Sequence, residues 1–178
     1  MKKILFVASL VLLFLSPFSA KAEGGSSSAK LQVDYALPYP GLLSDSPFYF
    51  LRATRDRIVS LLISDSYKKA EFDLLQADKR LSAGIYLANK GRYDLSQVTI
   101  SKGENYFEEA LTEAKNAKKQ GQNTAGLVNS LYLSAVKHQQ VLKDISEKSN
   151  STFKSSFLQE EKRAQQFEKM AKEILSEK

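Results

Sequence analysis

His138 is the only histidine of the chain and there is no cysteine, so no set of soft ligands exists that could share a metal ion with it. An imidazole can change its charge between pH 5 and 8, which makes a pH switch conceivable. Its place on an apolar helical stripe predicts a core or boundary residue instead. Glu104, Glu108, Glu109 and Glu113 have carboxylate spacings like those of di-metal bundles, yet the Glu-x-x-His motifs of such proteins are absent, and the four read as a solvated face. Asp78 and Arg80, separated by Lys79, point to different faces of one helix and are suited to ion pairs with neighbouring helices. No Ser-His-Asp order, phosphate-cradling glycine loop or glycosidase carboxylate pair can be placed on the chain. The expectation is a protein that is not an enzyme and uses no cofactor and no metal.

Two stretches could bind something. Phe48, Tyr49, Phe50 and Leu51 are followed by Arg52, Arg55 and Arg57 and then by Ile58, Val59, Leu61, Leu62 and Ile63. A helix both aromatic and basic can lie in a membrane interface with its arginines toward anionic headgroups. With Asp56 offsetting the arginines and apolar residues all around, burial in a bundle is the preferred expectation. Leu37, Pro38, Tyr39 and Pro40 form a pre-extended strip that could meet a partner but is expected to pack, with Tyr39 and Phe48 as packing residues. Leu37, Tyr39, Phe48, Tyr49, Arg52 and Arg55 are therefore the candidate partner or membrane surface. Basic and acidic residues are interspersed, which argues against nucleic acid.

These residues must be positioned by helices. Pro38 and Pro40 keep their neighbours extended, Pro40-Gly41 signals a turn, and Ser46-Pro47 pairs an N-cap with a first-turn proline, so a helix is expected over 47–63. From there on the chain has no proline, and apolar residues return every three or four positions. A second helix over 66–90 is capped from Ser64-Asp65-Ser66 and stopped by Gly91, with Ala70, Leu74, Ala77, Leu81, Gly84 and Ala88 on one stripe. Asp94 is expected to cap a third helix that ends before Gly121, and Thr124 a fourth. The fourth repeats Leu127, Leu131, Ala135, His138, Leu142 and Ile145. The fifth repeats Phe153, Phe157, Glu160, Ala164, Phe167, Ala171 and Ile174, and both are heptad spacings.

The fold expected is all-α: an up-and-down bundle of long antiparallel helices, about five with the first one short, preceded by an extended proline-containing segment. A tetratricopeptide-like array is the alternative, but that repeat needs Gly and Tyr three apart, and Gly91 and Tyr93 are two apart. An exposed Phe153, Phe157 and Phe167 stripe would call for self-association if the bundle did not cover it. The partner is otherwise an unknown protein.

The run Leu37-Pro-Tyr-Pro-Gly-Leu-Leu-Ser-Asp-Ser-Pro47 resembles the opening motif of a prokaryotic family catalogued as domain of unknown function 5667. The resemblance continues through Arg55-Asp56-Arg57-Ile58, Lys68-Lys69-Ala70-Glu71, Ala77-Asp78-Lys79-Arg80-Leu81 and Lys90-Gly91-Arg92-Tyr93-Asp94, over roughly 35–145. It implies no established activity. Family members carry a proline near the second helix start and before the last helix, where this chain has Ser66 and Ser149-Asn150-Ser151; that departure implies a longer or looser final connection.

Lys2 and Lys3 precede an apolar run from Ile4 to Leu15, Pro17 breaks it, and Ala20-Lys21-Ala22 supplies small residues for cleavage. Residues 1–22 therefore read as a signal peptide, 23–34 as a flexible Gly/Ser linker, and 35–178 as one helical domain. An extracytoplasmic location after cleavage near Ala22 follows, with an N-terminal membrane anchor as the alternative. Losing Lys2, Lys3 and Lys21 leaves 23 basic against 20 acidic residues, a net charge of +3 instead of +6. At about 156 residues such a chain can bury close to 70% of its unfolded surface, and with no disulfide its stability must come from packing.

Overall fold

The computed structural model describes residues 33–177. The expected signal peptide, its cleavage site and nearly all of the expected linker lie outside the described residues. Five helices follow one another: α1 (Tyr49–Leu62), α2 (Ser66–Asn89), α3 (Tyr93–Lys119), α4 (Ala125–Lys148) and α5 (Ser151–Ser176). The fold is all-α, and no strand occurs among the described residues. α2 packs most closely on α3, and α4 on α5; these two hairpins join chiefly through α3 and α5. α1 lies to one side against α2.

The helix ends follow local chemistry. Asp65 accepts the Lys68 backbone N–H at 2.9 Å and caps α2, and this bond is the leading cause of its lowered pKa. Gly91 and Gly121 take positive φ angles of 74° and 80° just beyond α2 and α3. There the N–H groups of Arg92 and Gln122 return to the carbonyls of Leu87 and Ala117. Four details differ from the sequence expectations. α1 starts at Tyr49 because Pro47 and Phe48 are spent in a turn whose Ser46 hydroxyl accepts the Phe48 N–H. Asp94 sits inside the first turn of α3, and Thr124 gives α4 no side-chain bond; Asn123 Oδ1 accepts the Ala125 N–H instead. The last connection is only Ser149 and Asn150, and it is tight because the Asn150 side chain accepts the Phe153 N–H.

The α2/α3 hairpin is close because each helix sets a glycine against the other, Gly84 under Ile100 and Gly103 beside Arg80. A Cβ on Gly84 would stand 2.3 Å from Ile100 Cγ1, and one on Gly103 3.0 Å from Arg80 Cβ. Ser96 Oγ donates to the Gly84 carbonyl across the same contact at 2.8 Å. The apolar core falls into two clusters. One contains Leu74, Ala77, Phe107, Leu131, Ala135 and Phe167, and the other Leu81, Ile100, Leu142 and Phe157. Phe107 and Phe167 stack at 5.0 Å in the first. Phe157 and Phe167 are buried and Phe153 is half-buried against Tyr93, so the bundle covers the stripe on α5 that would have called for a second copy.

The proline-containing segment is laced onto the bundle. Tyr35 Oη donates to Asp78 Oδ2 at 2.6 Å, Ser44 bonds Thr99 at 2.9 Å, and Lys90 pairs with Asp45 at 2.9 Å. Leu37 packs on the second core cluster. Tyr39 and Phe48, expected to pack, are 77% and 61% exposed.

Candidate functional site

Along α2, α3 and α4, Asp78, Glu104 and His138 each fall between residues of the two apolar clusters, so they form a polar layer where the clusters meet. His138 Nδ1 lies 2.8 Å from Glu104 Oε1 and Nε2 lies 3.1 Å from Asp78 Oδ1. Ser134 Oγ donates to the same Asp78 oxygen at 2.5 Å, and Tyr35 to the other. Burial alone would push the imidazole pKa down. The charge of Glu104 and the hydrogen bonds to Asp78 and Glu104 outweigh it and hold the pKa at about 9. His138 is thus an imidazolium at neutral pH, with both ring nitrogens donating. Burial first, then the charge of Asp78, raises the Tyr35 pKa well above the ordinary tyrosine value. The Phe107 ring closes over His138 edge-on at 5.0 Å.

Chemically this layer is a buried hydrogen-bonded ion cluster whose imidazole is fully enclosed. Ser134 is turned to Asp78 and not to the imidazole, so this serine and histidine are not aligned as nucleophile and base, and the groove that Asp78 and Tyr35 help to line is not lined by His138 or Glu104. Glu104, read from sequence as part of a solvated face, is fully buried. It lies one turn before Phe107 and two turns before Leu111 on the inward stripe, a register that its three acidic neighbours disguise.

The candidate partner surface divides. Leu37 goes to the core and Tyr39 stands alone in solvent. Tyr49, Arg52 and Arg55 lie on α1 and Phe48 in the turn just before it, with distinct roles. Arg52 turns inward and donates through Nη1 to the carbonyls of Pro40 and Leu42, which ties the turn at Gly41 to α1. Arg55 is exposed and pairs at 2.7 Å with Asp56. Asp56, read from sequence only as an offset to the arginines, is the one buried residue of α1.

α1 is inverted. Its inward side carries Asp56, Arg52, Ala53 and Ser60, whereas Phe50, Leu51, Ile58, Val59, Leu61 and Leu62 are exposed. Leu51, Ile58 and Leu62, at i, i+7 and i+11, line one face opposite Asp56. The preferred expectation of burial is therefore overturned: the residues that would have filled a core point away from it. Leu61 and Leu62 are 79% and 75% exposed.

Behind α1 runs a groove of about 600 Å³, lined from α1 by Tyr49, Arg57 and Leu61, from α2 by Lys69 and Arg80, and from α3 by Lys102, Asn105, Tyr106 and Glu109. Arg80 is 93% buried in its wall, since only 7% of its surface is accessible. Its Nη1 donates to Gln76 Oε1 at 3.0 Å, its guanidinium carbon lies 4.2 Å from the Tyr106 ring centre, and its Nε has no partner. No described carboxylate forms an ion pair with it, unlike Lys69, which holds Asp73 at 2.5 Å. Burial is the leading cause of the raised Asp73 pKa, and Lys69 opposes it.

No helix among the described residues is long and apolar enough to cross a membrane, and no described group of His, Asp and Glu side chains is placed to hold a metal. The chain matches the family described as Domain of unknown function (DUF5667) over residues 41–152, and it belongs to that family. The match spans α1 to α4 and stops at the start of α5. No curated protein and no solved structure matches.

Proposed function

We propose that this chain is an exported, non-catalytic helical binding module that docks on an anionic membrane surface through α1, with α2 to α5 as its platform. The observation that carries this reading is the inversion of α1, whose polar residues face the bundle and whose Leu51, Ile58 and Leu62 face out. An amphipathic helix so turned can set its apolar face into the headgroup boundary, and each Leu or Ile fully removed from water contributes roughly 1.5–3 kcal/mol. Arg55, exposed beside the apolar face, suits an anionic surface. Extracytoplasmic placement rests on the Lys2-Lys3, apolar-run and Ala20-Lys21-Ala22 pattern.

Flotation with vesicles of phosphatidylglycerol and phosphatidylcholine tests this. The exported protein is expected to rise with the anionic vesicles, to stay behind with phosphatidylcholine alone, and to lose binding in a Leu51→Ser, Ile58→Ser, Leu62→Ser variant. A protein that stays in the pellet with every vesicle sinks the reading and leaves the apolar face to a protein partner.

A further inference from the structure

A guanidinium taken out of water without a counter-charge is costly, and native chains pair such groups or give them a ligand. Arg80 is held in this state by its surroundings. Gln76 and the Tyr106 ring fix its plane, and Gly103 lets its stem pass close to α3. The buried acids near α1 and α2 are engaged elsewhere, Asp56 by Arg52 and Arg55 and Asp73 by Lys69. The groove that Arg80 lines carries three further cations, Arg57, Lys69 and Lys102, against one carboxylate, Glu109. Glu109 lies 3.8 Å from Lys69, which leaves Arg57, Arg80 and Lys102 without a described acidic partner.

We propose that the groove between α1 and the α2/α3 hairpin is a binding site for a phosphate group, held by Arg80, Arg57 and Lys102. Three cations unopposed by carboxylate suit a phosphate better than a single carboxylate, and a planar guanidinium already fixed in place loses little freedom on binding it. Asn105 adds a neutral donor, and the Tyr49 and Tyr106 rings leave room for an organic group beside the phosphate. The source is either a lipid headgroup or a soluble phosphate ester. The site lies on the bundle side of α1, opposite the face assigned to membrane docking, so each claim can fail without the other.

The test is a titration of the exported protein followed at the Arg80 Nε–H resonance, which is shielded from water. Inorganic phosphate, glycerol 3-phosphate and dihexanoylphosphatidylglycerol below its micelle concentration are compared with chloride at equal ionic strength. A saturable shift with at least one phosphate probe and none with chloride is expected. The Arg57→Gln, Lys102→Gln double variant should bind roughly tenfold more weakly, having lost two charge-assisted contacts. Equal response to glycerol 3-phosphate and the lipid assigns the site to soluble esters, and preference for the lipid assigns it to headgroups. No saturable shift with any of the three probes, or a shift unaltered in the double variant, overturns the proposal. The Leu51→Ser, Ile58→Ser, Leu62→Ser variant should keep the phosphate response while losing flotation.

Discussion

Asp78 and Arg80 stand two residues apart on α2, both almost fully buried, and the chain treats them in opposite ways. Asp78 accepts from Tyr35, Ser134 and His138, which arrive from the lead-in segment and α4. Arg80 donates to the side-chain amide oxygen and, at 3.4 Å, the backbone carbonyl of Gln76, lies against one aromatic face, and meets no carboxylate. A polar group satisfied from several directions locks helices in register, because any slip strands all of its partners in a medium of low dielectric. A buried charge left open does no such work for the fold. The contrast separates a charge kept for structure from one kept for something that comes and goes.

The largest loss is expected at Asp78. Asp78→Ala removes the acceptor of three hydrogen bonds and leaves His138 with one counter-charge, and breaking a buried ion pair costs about 3–5 kcal/mol. Urea unfolding should show the unfolding free energy falling by that amount, as a lower midpoint with an unchanged slope; a loss under about 1 kcal/mol would mean that the polar layer is ornamental. Next in size is the pH dependence of the same layer. The folded pKa of His138, about 9, lies above its ordinary value of 6.5, so the folded chain keeps its proton where the unfolded chain releases it. The contribution is complete below about pH 6.5 and is lost as pH rises to about 9, on the order of 3 kcal/mol. Unfolding free energies measured from pH 6 to 9.5 should decline across that window, and the decline should vanish in His138→Leu. Between pH 5 and 8 the folded imidazole stays charged, so a switch acting through it in that range is not expected.

Much of this fold was legible beforehand, because long three- and four-residue periodicities and terminal glycines report on each helix separately. The heptads placing Leu131, His138 and Leu142 on one stripe, and the glycines at 91 and 121, needed no tertiary knowledge. What escaped was everything set by which helix faces which. Glu104 and His138 lie 34 residues apart in sequence, and only the packing of α3 near α4 brings them within 2.8 Å. The inversion of α1 was illegible for another reason. Its composition is that of a buried helix, and a periodic pattern names an apolar face without saying whether that face is turned in or out. Asp56 was the available clue, a lone acid opposite Leu51, Ile58 and Leu62.

The smallest expected effect lies at Arg80 and bears most directly on function. Arg80→Met keeps the volume and the contact with Tyr106 while deleting an unpaired buried charge, and replacing buried ionic groups by apolar ones of similar size is often neutral or stabilising. In phosphate-free buffer its stability should stay within about 1 kcal/mol of the parent, a far smaller change than at Asp78 two residues earlier. Melting in chloride and in phosphate at matched ionic strength then reads the second half of the contrast. The parent should gain stability from phosphate by mass action, and the variant should not. A large loss in both buffers would make Arg80 as structural as Asp78, and the open charge would have to be counted as part of the fold.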